Sequence, residues 1–526
     1  MTSSFRAIDW VIIAVYLIAM AAIGIYFSRR QTSLERYLLA DRNLGWLPVG
    51  LSLMAALNSG MDYLMQPSST IKYGFVLALG ILSWLALYPW VARVAFPFYR
   101  RLDFYTAYEY LEARFDVRVR TLGAMIFVVW RLGWMATAMY VPSLAINAAS
   151  GGEVDLNTTA IVVGALVTLY TMLGGIQAVI WNDVVQFCIM FTGLAATVII
   201  VVVSVPGGFA EIWQVSGEAG KLDLWPALID PSALAFSDQV ASFFAQPITV
   251  VALLVSLVVG RMAQYTSDQV MVQRLQTTKS LRDTRRAFIV NAVGDAVWML
   301  GLCFVGLALF AYFRTHTLPA EFETDKLLPY FMSLAFPAGA VGLVIAAIMA
   351  ASLSSIDSAI NSCSSVAVVD LYNRVWLGRN VRPGHTEASD RSQVWASRVA
   401  TVMFGAAGTI LACNVSRIGS LLEITNRLVN AFTGPLFGIY LLAMFSARSR
   451  SEGVLLAGVA GAATSYYVAY HSAIGFLWPS TFGLAATMGV GLALAAVWPS
   501  AADAPGRALT WKAVMHRPLL AETPSA

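Results

Sequence analysis

The sequence predicts an all-α protein that crosses a lipid bilayer many times. Three observations carry that prediction. Of the 526 residues, 58% are hydrophobic and only 12% are charged, about half the charged share of a soluble domain. Apolar runs of about 18 residues or more recur along the whole chain, each long enough to cross the hydrocarbon core as a helix. Arginine is concentrated in alternate connecting segments, the pattern that orients membrane helices.

Thirteen spans follow in order, at 8–28, 44–66, 73–97, 122–149, 157–176, 181–205, 240–265, 286–312, 328–369, 395–414, 422–446, 452–471 and 478–498. The first, IDWVIIAVYLIAMAAIGIYF, lacks a basic leader and a small-residue cleavage site, so it reads as a retained helix. The second contains AALNSGMDY, which is polar and glycine-bearing at mid-depth. Spans three to six are apolar runs, the sixth opening on the acid-bearing IQAVIWNDVVQF. The seventh is interrupted by GRMAQYTSDQ in its inner half. The ninth is too long for one straight crossing, and is either strongly tilted or opened by a short interfacial helix. Four further apolar spans leave 499–526 as a tail.

The connecting segments fix an orientation. Arg29, Arg30, Arg36 and Arg42 lie between spans one and two, and Arg100, Arg101, Arg114, Arg118 and Arg120 follow span three. Arg274, Lys279, Arg282, Arg285 and Arg286 follow span seven, Arg374, Arg379, Arg382 and Arg391 span nine, Arg448 and Arg450 span eleven. The alternate segments are poor in basic residues. This bias places the N-terminus outside and the C-terminus in the cytoplasm, as does an odd span count. A net charge of +4 therefore reports topology, and gives no reason to expect nucleic acid as a partner. The cysteines (Cys188, Cys303, Cys363, Cys413) sit in apolar runs and the histidines in loops or the tail. No zinc spacing and no nucleophile–base pair is visible, so the chain does not read as an enzyme.

The interruptions in spans two and seven lie about 200 residues apart and open two stretches of similar length. Such pairing points to inverted repeats, spans two to six and seven to eleven, with discontinuous helices around a midplane site. Non-helical backbone at that depth is tolerated only where protein or a watery cavity surrounds it.

The segment ASLSSIDSAINS, at 351–362, places hydroxyls and an acid inside an apolar span. On a helix Ala351, Ser354, Ser355, Ser358 and Ser362 share one face. An oxygen-bearing stripe suits a hard monovalent cation; the alternative is that each serine bonds a carbonyl one turn back and packs closely. Asp183 marks an ion path or caps an interfacial turn. Asp62, Arg131, Arg261, Asp295 and Asp357 are further buried charges, for which pairing within the bundle is the default. An arginine left unpaired would suit a substrate carboxylate.

Five co-linear stretches, ADRNLGWLPVGLSLMAA, YTMLGGIQAVIWNDVVQ, SDQVMVQRLQTTKSLRDTRRA, ASLSSIDSAINSCSSVAVVDLYNR and TGPLFGIYLLAMF, resemble the sodium:solute symporters of the glucose, proline, sialic acid and monocarboxylate type. The resemblance implies a LeuT-type core of two five-helix inverted repeats. It divides the chain into an extra helix with its loop (1–43), a first repeat (44–238), a second repeat (239–446), two further helices (447–498) and the tail (499–526). It implies a main sodium site of Ala55, Asn58, Ala351, Ser354 and Ser355, and an additional one of Asp183, Asp357 and Ser358, hence one or two Na+ ions. Asp357 departs from members with a hydroxyl there. The implied substrate site comprises Asn58, Ser59, Asp62, Tyr63, Arg131, Trp134, Arg261, Gln264 and Tyr265. The expected protein is a monomeric sodium-coupled importer of a small organic anion, such as sialic acid or a monocarboxylate, in the cell inner membrane. A sugar or proline-type symporter is the alternative, and a transporter-like sensor or a channel the reading from another class.

Overall fold

The structure is a computed structural model, described at residues 5–28, 33–225, 228, 235–316, 326–379, 390–415 and 432–519. Every regular element among these residues is helical. In chain order the helices are α1 (Ala7–Ser28), α2 (Leu34–Leu39), α3 (Trp46–Leu57), α4 (Gly60–Tyr73), the mixed helical span α5 (Phe75–Tyr99), α6 (Ala107–Arg114), α7 (Val117–Ala149) and α8 (Leu156–Ser204). Then come α9 (Gly208–Glu218), α10 (Phe236–Ala245), α11 (Val250–Ser267), α12 (Gln269–Gln276), α13 (Leu281–Thr315), α14 (Leu327–Ala335) and α15 (Ala340–Val366). The last are α16 (Asp390–Ala412), α17 (Thr433–Phe445), α18 (Ser451–His471), α19 (Pro479–Val497) and α20 (Trp511–Met515).

Among the described residues ten helical spans are long and apolar enough to cross a bilayer, and α3 and α17 are shorter apolar helices. The thirteen expected spans are thus not reproduced one for one. Span two is the pair α3–α4, broken at Asn58 and Ser59 as expected. Spans five and six run on as α8, kinked at Gly175, whose φ of 58° suits glycine. Residues 422–431 of span eleven, with Arg29, Arg30 and Arg382, lie outside the described residues. Span nine divides into short α14 and long α15. Helix α10 runs across positions 238 and 239, where the two repeats are expected to meet.

The interruption expected in the seventh span falls at the Asp268 end of GRMAQYTSDQ. The helix continues through Gly260 and Arg261 and breaks at Asp268, where extended backbone separates α11 from α12. A glycine inside a helix costs only roughly 1 kcal/mol, too little to end the run. Asp268 ends the run because its carboxylate accepts the Val270 N–H (2.9 Å) and starts a new helix.

Helix α15 is the central post. Almost every residue from Val341 to Val366 is buried, chiefly against α8 and α7. Its serines and Asp357 therefore meet protein rather than lipid, which answers the sequence's apparent anomaly. Helix α1 exposes most of its surface and buries the stripe Asp9, Ile13, Tyr16, Met20, Gly24 and Phe27 against α8 and α15. The tail docks on the arginine-rich face, with the Tyr110 hydroxyl donating to Leu509 O (3.1 Å).

Candidate functional site

Breaking α3 at Asn58 leaves the carbonyls of its last turn without their usual N–H partners. The Ser59 N–H, which would have bonded Ala55 O, goes instead to Asp62 Oδ2 (2.6 Å). Met54 O is satisfied by the Asn58 backbone N–H (3.2 Å) and Nδ2 (3.0 Å). Close approach of α15 becomes possible because position 60 is glycine: a Cβ there would lie 2.2 Å from Ser352 Oγ.

Two serines of α15 meet the freed carbonyls. Ser354 Oγ lies 2.8 Å from Ala55 O and 2.9 Å from Ala351 O. Ser355 Oγ lies 3.2 Å from Asn58 O and 3.5 Å from Ala56 O. Each hydroxyl carries a single hydrogen. Two hydrogens therefore serve four carbonyl oxygens, in a cluster where all three α15 residues are at most 1% exposed. The surplus of oxygen lone pairs, beside the negative end of α3, fits a hard cation. All five residues expected at the main site are brought together, with Ala56 as an addition.

The additional set is partly rearranged. Arg274, counted from sequence among the basic residues of a loop, is fully buried on α12. Its guanidinium pairs with Asp183 Oδ2 (3.0 Å) and donates to Ser52 Oγ (2.8 Å), Val270 O (3.1 Å) and Ser358 Oγ. Ser52 in turn donates to Asp183 Oδ2 (2.5 Å). Asp357 accepts from the Tyr170 hydroxyl (2.9 Å) and lies 3.2 Å from Ser358 Oγ. This fully buried cluster holds two carboxylates and one guanidinium, and Asp183 Oδ1 has no hydrogen-bond partner among the described residues. Ser52, Tyr170 and Arg274 were missed. The signal for Arg274 was its place nearly two turns past a helix break, inside SDQVMVQR.

The expected substrate residues separate into two groups. Asn58, Ser59 and Asp62 stay at the break, where Ser59 and Asp62 form a capping box for α4. Asp62 remains partly exposed, as do Trp134 and Gln264. The other group is turned to structural use. Arg131 pairs with the fully buried Asp268 and stacks on Trp130. Arg261 pairs with Asp295 (2.7 Å), donates to Ser83 Oγ (2.6 Å) and lies over Trp84. Tyr63 is fully buried, its hydroxyl 3.1 Å from Thr197 Oγ1, and Tyr265 is fully buried with its hydroxyl on Asn291. Neither arginine is left unpaired, because a lone guanidinium in a bundle interior costs several kcal/mol.

Helix α12 closes the arginine-rich side. None of its eight side chains is more than 4% exposed. Gln269 bridges Ala107 N (2.8 Å) and Tyr105 O (3.0 Å). Gln273 bonds Leu38 O (2.7 Å) and the hydroxyls of Ser362 (3.1 Å) and Ser365 (3.3 Å). Farther out, Glu112 joins Arg120 (2.8 Å) and Arg374 (2.5 Å). Burial acts to raise the Glu112 carboxyl, but hydrogen bonds and charge from Arg374 and Arg120 prevail and hold it below its ordinary value.

A membrane bundle with two broken helices and an oxygen cradle at one break has the architecture of an ion-coupled secondary transporter. Comparison with known proteins agrees. The sodium:solute symporter family model matches residues 37–461. The Aliivibrio fischeri sodium/sialic acid symporter NanT is 30% identical over 486 residues, 91% of this chain and 91% of NanT. Human sodium-coupled monocarboxylate transporter 1 is 30% identical over 480 residues, 88% of this chain and 73% of its own. A solved Na+-coupled sialic acid symporter, substrate-bound, outward-open and with a novel Na+-site, superposes with a TM-score of 0.83 at 27% identity, covering 94% of this chain and 99% of that one. The chain belongs to the sodium:solute symporter family. It is an integral, multi-pass, sodium-coupled transporter of a small molecule, and not an enzyme.

Proposed function

We propose that this symporter spends the inward sodium gradient on importing a small organic acid, of the class that includes sialic acid and monocarboxylates. The substrates named for its relatives support that class. The main ion is held by the carbonyls of Ala55, Asn58 and Ala351 and the hydroxyls of Ser354 and Ser355. The observation that carries this is the hydrogen count, two hydroxyl hydrogens facing four carbonyls. A second ion beside Asp183, Asp357 and Ser358 is supported by charge, since Arg274 balances one of two buried carboxylates.

Sodium at the main site ties α15 to the α3–α4 break, which adjoins the solute residues Asn58, Ser59, Asp62, Trp134 and Gln264. Each ligand then strengthens binding of the other, because both prefer the same conformation. Each entering charge contributes roughly 2.3 kcal/mol per 100 mV. Return opening requires the bonds of α12 to release. The arginine-rich face is cytoplasmic, with the N-terminus outside and the C-terminus inside a cell inner membrane, and one chain suffices for transport. The two inverted repeats comprise 44–238 and 239–446.

A neutral sugar or an amino acid is the second reading. It is favoured by the pairing of Arg131 and Arg261, while Asp62 keeps one carboxylate oxygen without a partner among the described residues. A thermal-shift screen of the purified protein against organic acids, sugars and amino acids, with and without sodium, decides between them. Sodium-dependent stabilisation by organic acids is the expected result. The same response to sugars alone would replace the first reading with the second.

A further inference from the structure

Helix α15 carries Ala351, Ser354 and Ser355, yet its own sequence gives it no cap. The segment FPAGAVG enters the helix through Gly339, with no local side chain to accept the first N–H groups. The Ala340 N–H bonds Pro337 O (3.1 Å), and two of the others are met from the far end of the chain. Asp9 of α1, fully buried in a span otherwise apolar, accepts the Gly339 N–H (2.9 Å) and the Gly342 N–H (2.7 Å) on one carboxylate oxygen. Its other oxygen accepts the Arg6 N–H (2.8 Å). A carboxylate here satisfies two orphan donors and faces the positive end of the helix dipole. The two backbones touch as well: a Cβ on Gly342 would lie 2.5 Å from Asp9 Cα.

The same face of α1 meets the ion-bearing helices at two lower levels. Gln186 of α8, three residues past Asp183, donates to the Tyr16 hydroxyl (3.3 Å). Gly24 abuts Tyr170, where a Cβ would come within 2.7 Å, and the Tyr170 hydroxyl donates to Asp357. From Gly342 to Ala351 is about 14 Å of rigid helix rise, so an axial shift or a turn of α15 at its start moves the serines by a similar amount. A cradle of fixed carbonyls on α3 tolerates little such movement.

We propose that the extra helix α1 sets the sodium affinity, with Asp9 as a positioning residue that fixes the height and rotation of α15 against the α3–α4 break. The inference rests on the main sodium site proposed above. It is tested by sodium-dependent thermal stabilisation of the purified full chain, titrated with NaCl at constant ionic strength and without solute. Asp9→Ala removes the acceptor and is expected to raise half-saturating sodium at least fivefold. Asp9→Asn keeps the shape and one acceptor and falls between, and it stands in if Asp9→Ala does not fold. A merely structural role would lower the sodium-free melting temperature and leave half-saturation unchanged. Wild-type half-saturation in both variants, or in Asp9→Asn alone where Asp9→Ala does not fold, overturns the proposal. The wild type is the control for the underlying site. If it shows no sodium stabilisation, the main site itself fails, whereas insensitive Asp9 variants beside a responsive wild type reject only the role of α1.

Discussion

At the scale of single residues, buried charge is distributed by a simple rule: an arginine in the bundle takes an internal acid before it is spared for a ligand. Arg131 and Asp268 illustrate it, and breaking one partner of such a pair typically costs 3–5 kcal/mol. Arg131→Ala should therefore lower the melting temperature sharply, and Arg131→Met with Asp268→Asn should recover most of the loss. A single variant as stable as wild type would show the pair to be dispensable. Asp357 offers a second residue-scale expectation. If it balances a second ion, Asp357→Asn should reduce the coupled sodium-to-solute ratio, read from reversal potentials in proteoliposomes, from two to one. An unchanged ratio would remove Asp357 from the ion path. The serine stripe was legible in sequence because helical spacing alone puts Ser354 and Ser355 on one face. The partners of Arg131, Arg261 and Arg274 were not, since pairing across 34 to 137 positions depends on packing that no local pattern records.

Between residues and molecule lie the elements, and here the broken helices matter most. The break in α3–α4 was legible because Asn58, Ser59 and Gly60 combine cap chemistry with permissive backbone. The break after α11 falls at the aspartate end of GRMAQYTSDQ, since glycine is a weaker stop than an aspartate able to cap the next helix. Fully buried α12 was hidden by its composition: QVMVQRLQ reads as a polar connection, and only its neighbours' carbonyls and hydroxyls make it a core helix. The belt outside it carries a pH expectation. Glu112 is held below its ordinary value in the folded state, so its pairing supports stability above the unfolded value near 4.5 and is lost as pH falls below it. Melting temperatures should accordingly drop between about pH 5 and 3, and Glu112→Gln should flatten that part of the profile. A profile unaltered by the substitution would show that Arg120 and Arg374 gain nothing from this acid.

For the whole molecule, transport is a consequence of one contact between two units: α15, held by α1, α7 and α8, against the break between α3 and α4. Everything that favours this contact favours the conformation that binds solute, and sodium and solute must therefore raise each other's affinity by the same factor. The bundle architecture and its opening discontinuity were readable from hydropathy, arginine alternation and one polar interruption. The nature of the solute was not, because the residues that sequence position nominates are divided between partly exposed positions and buried internal pairs. The most direct measurement is the sodium dependence of solute uptake by proteoliposomes containing wild type or the Ser354→Ala/Ser355→Ala double variant. At least a tenfold higher half-saturating sodium is expected in the double variant, with the order of preference among solutes retained. Wild-type sodium dependence in that variant would contradict it.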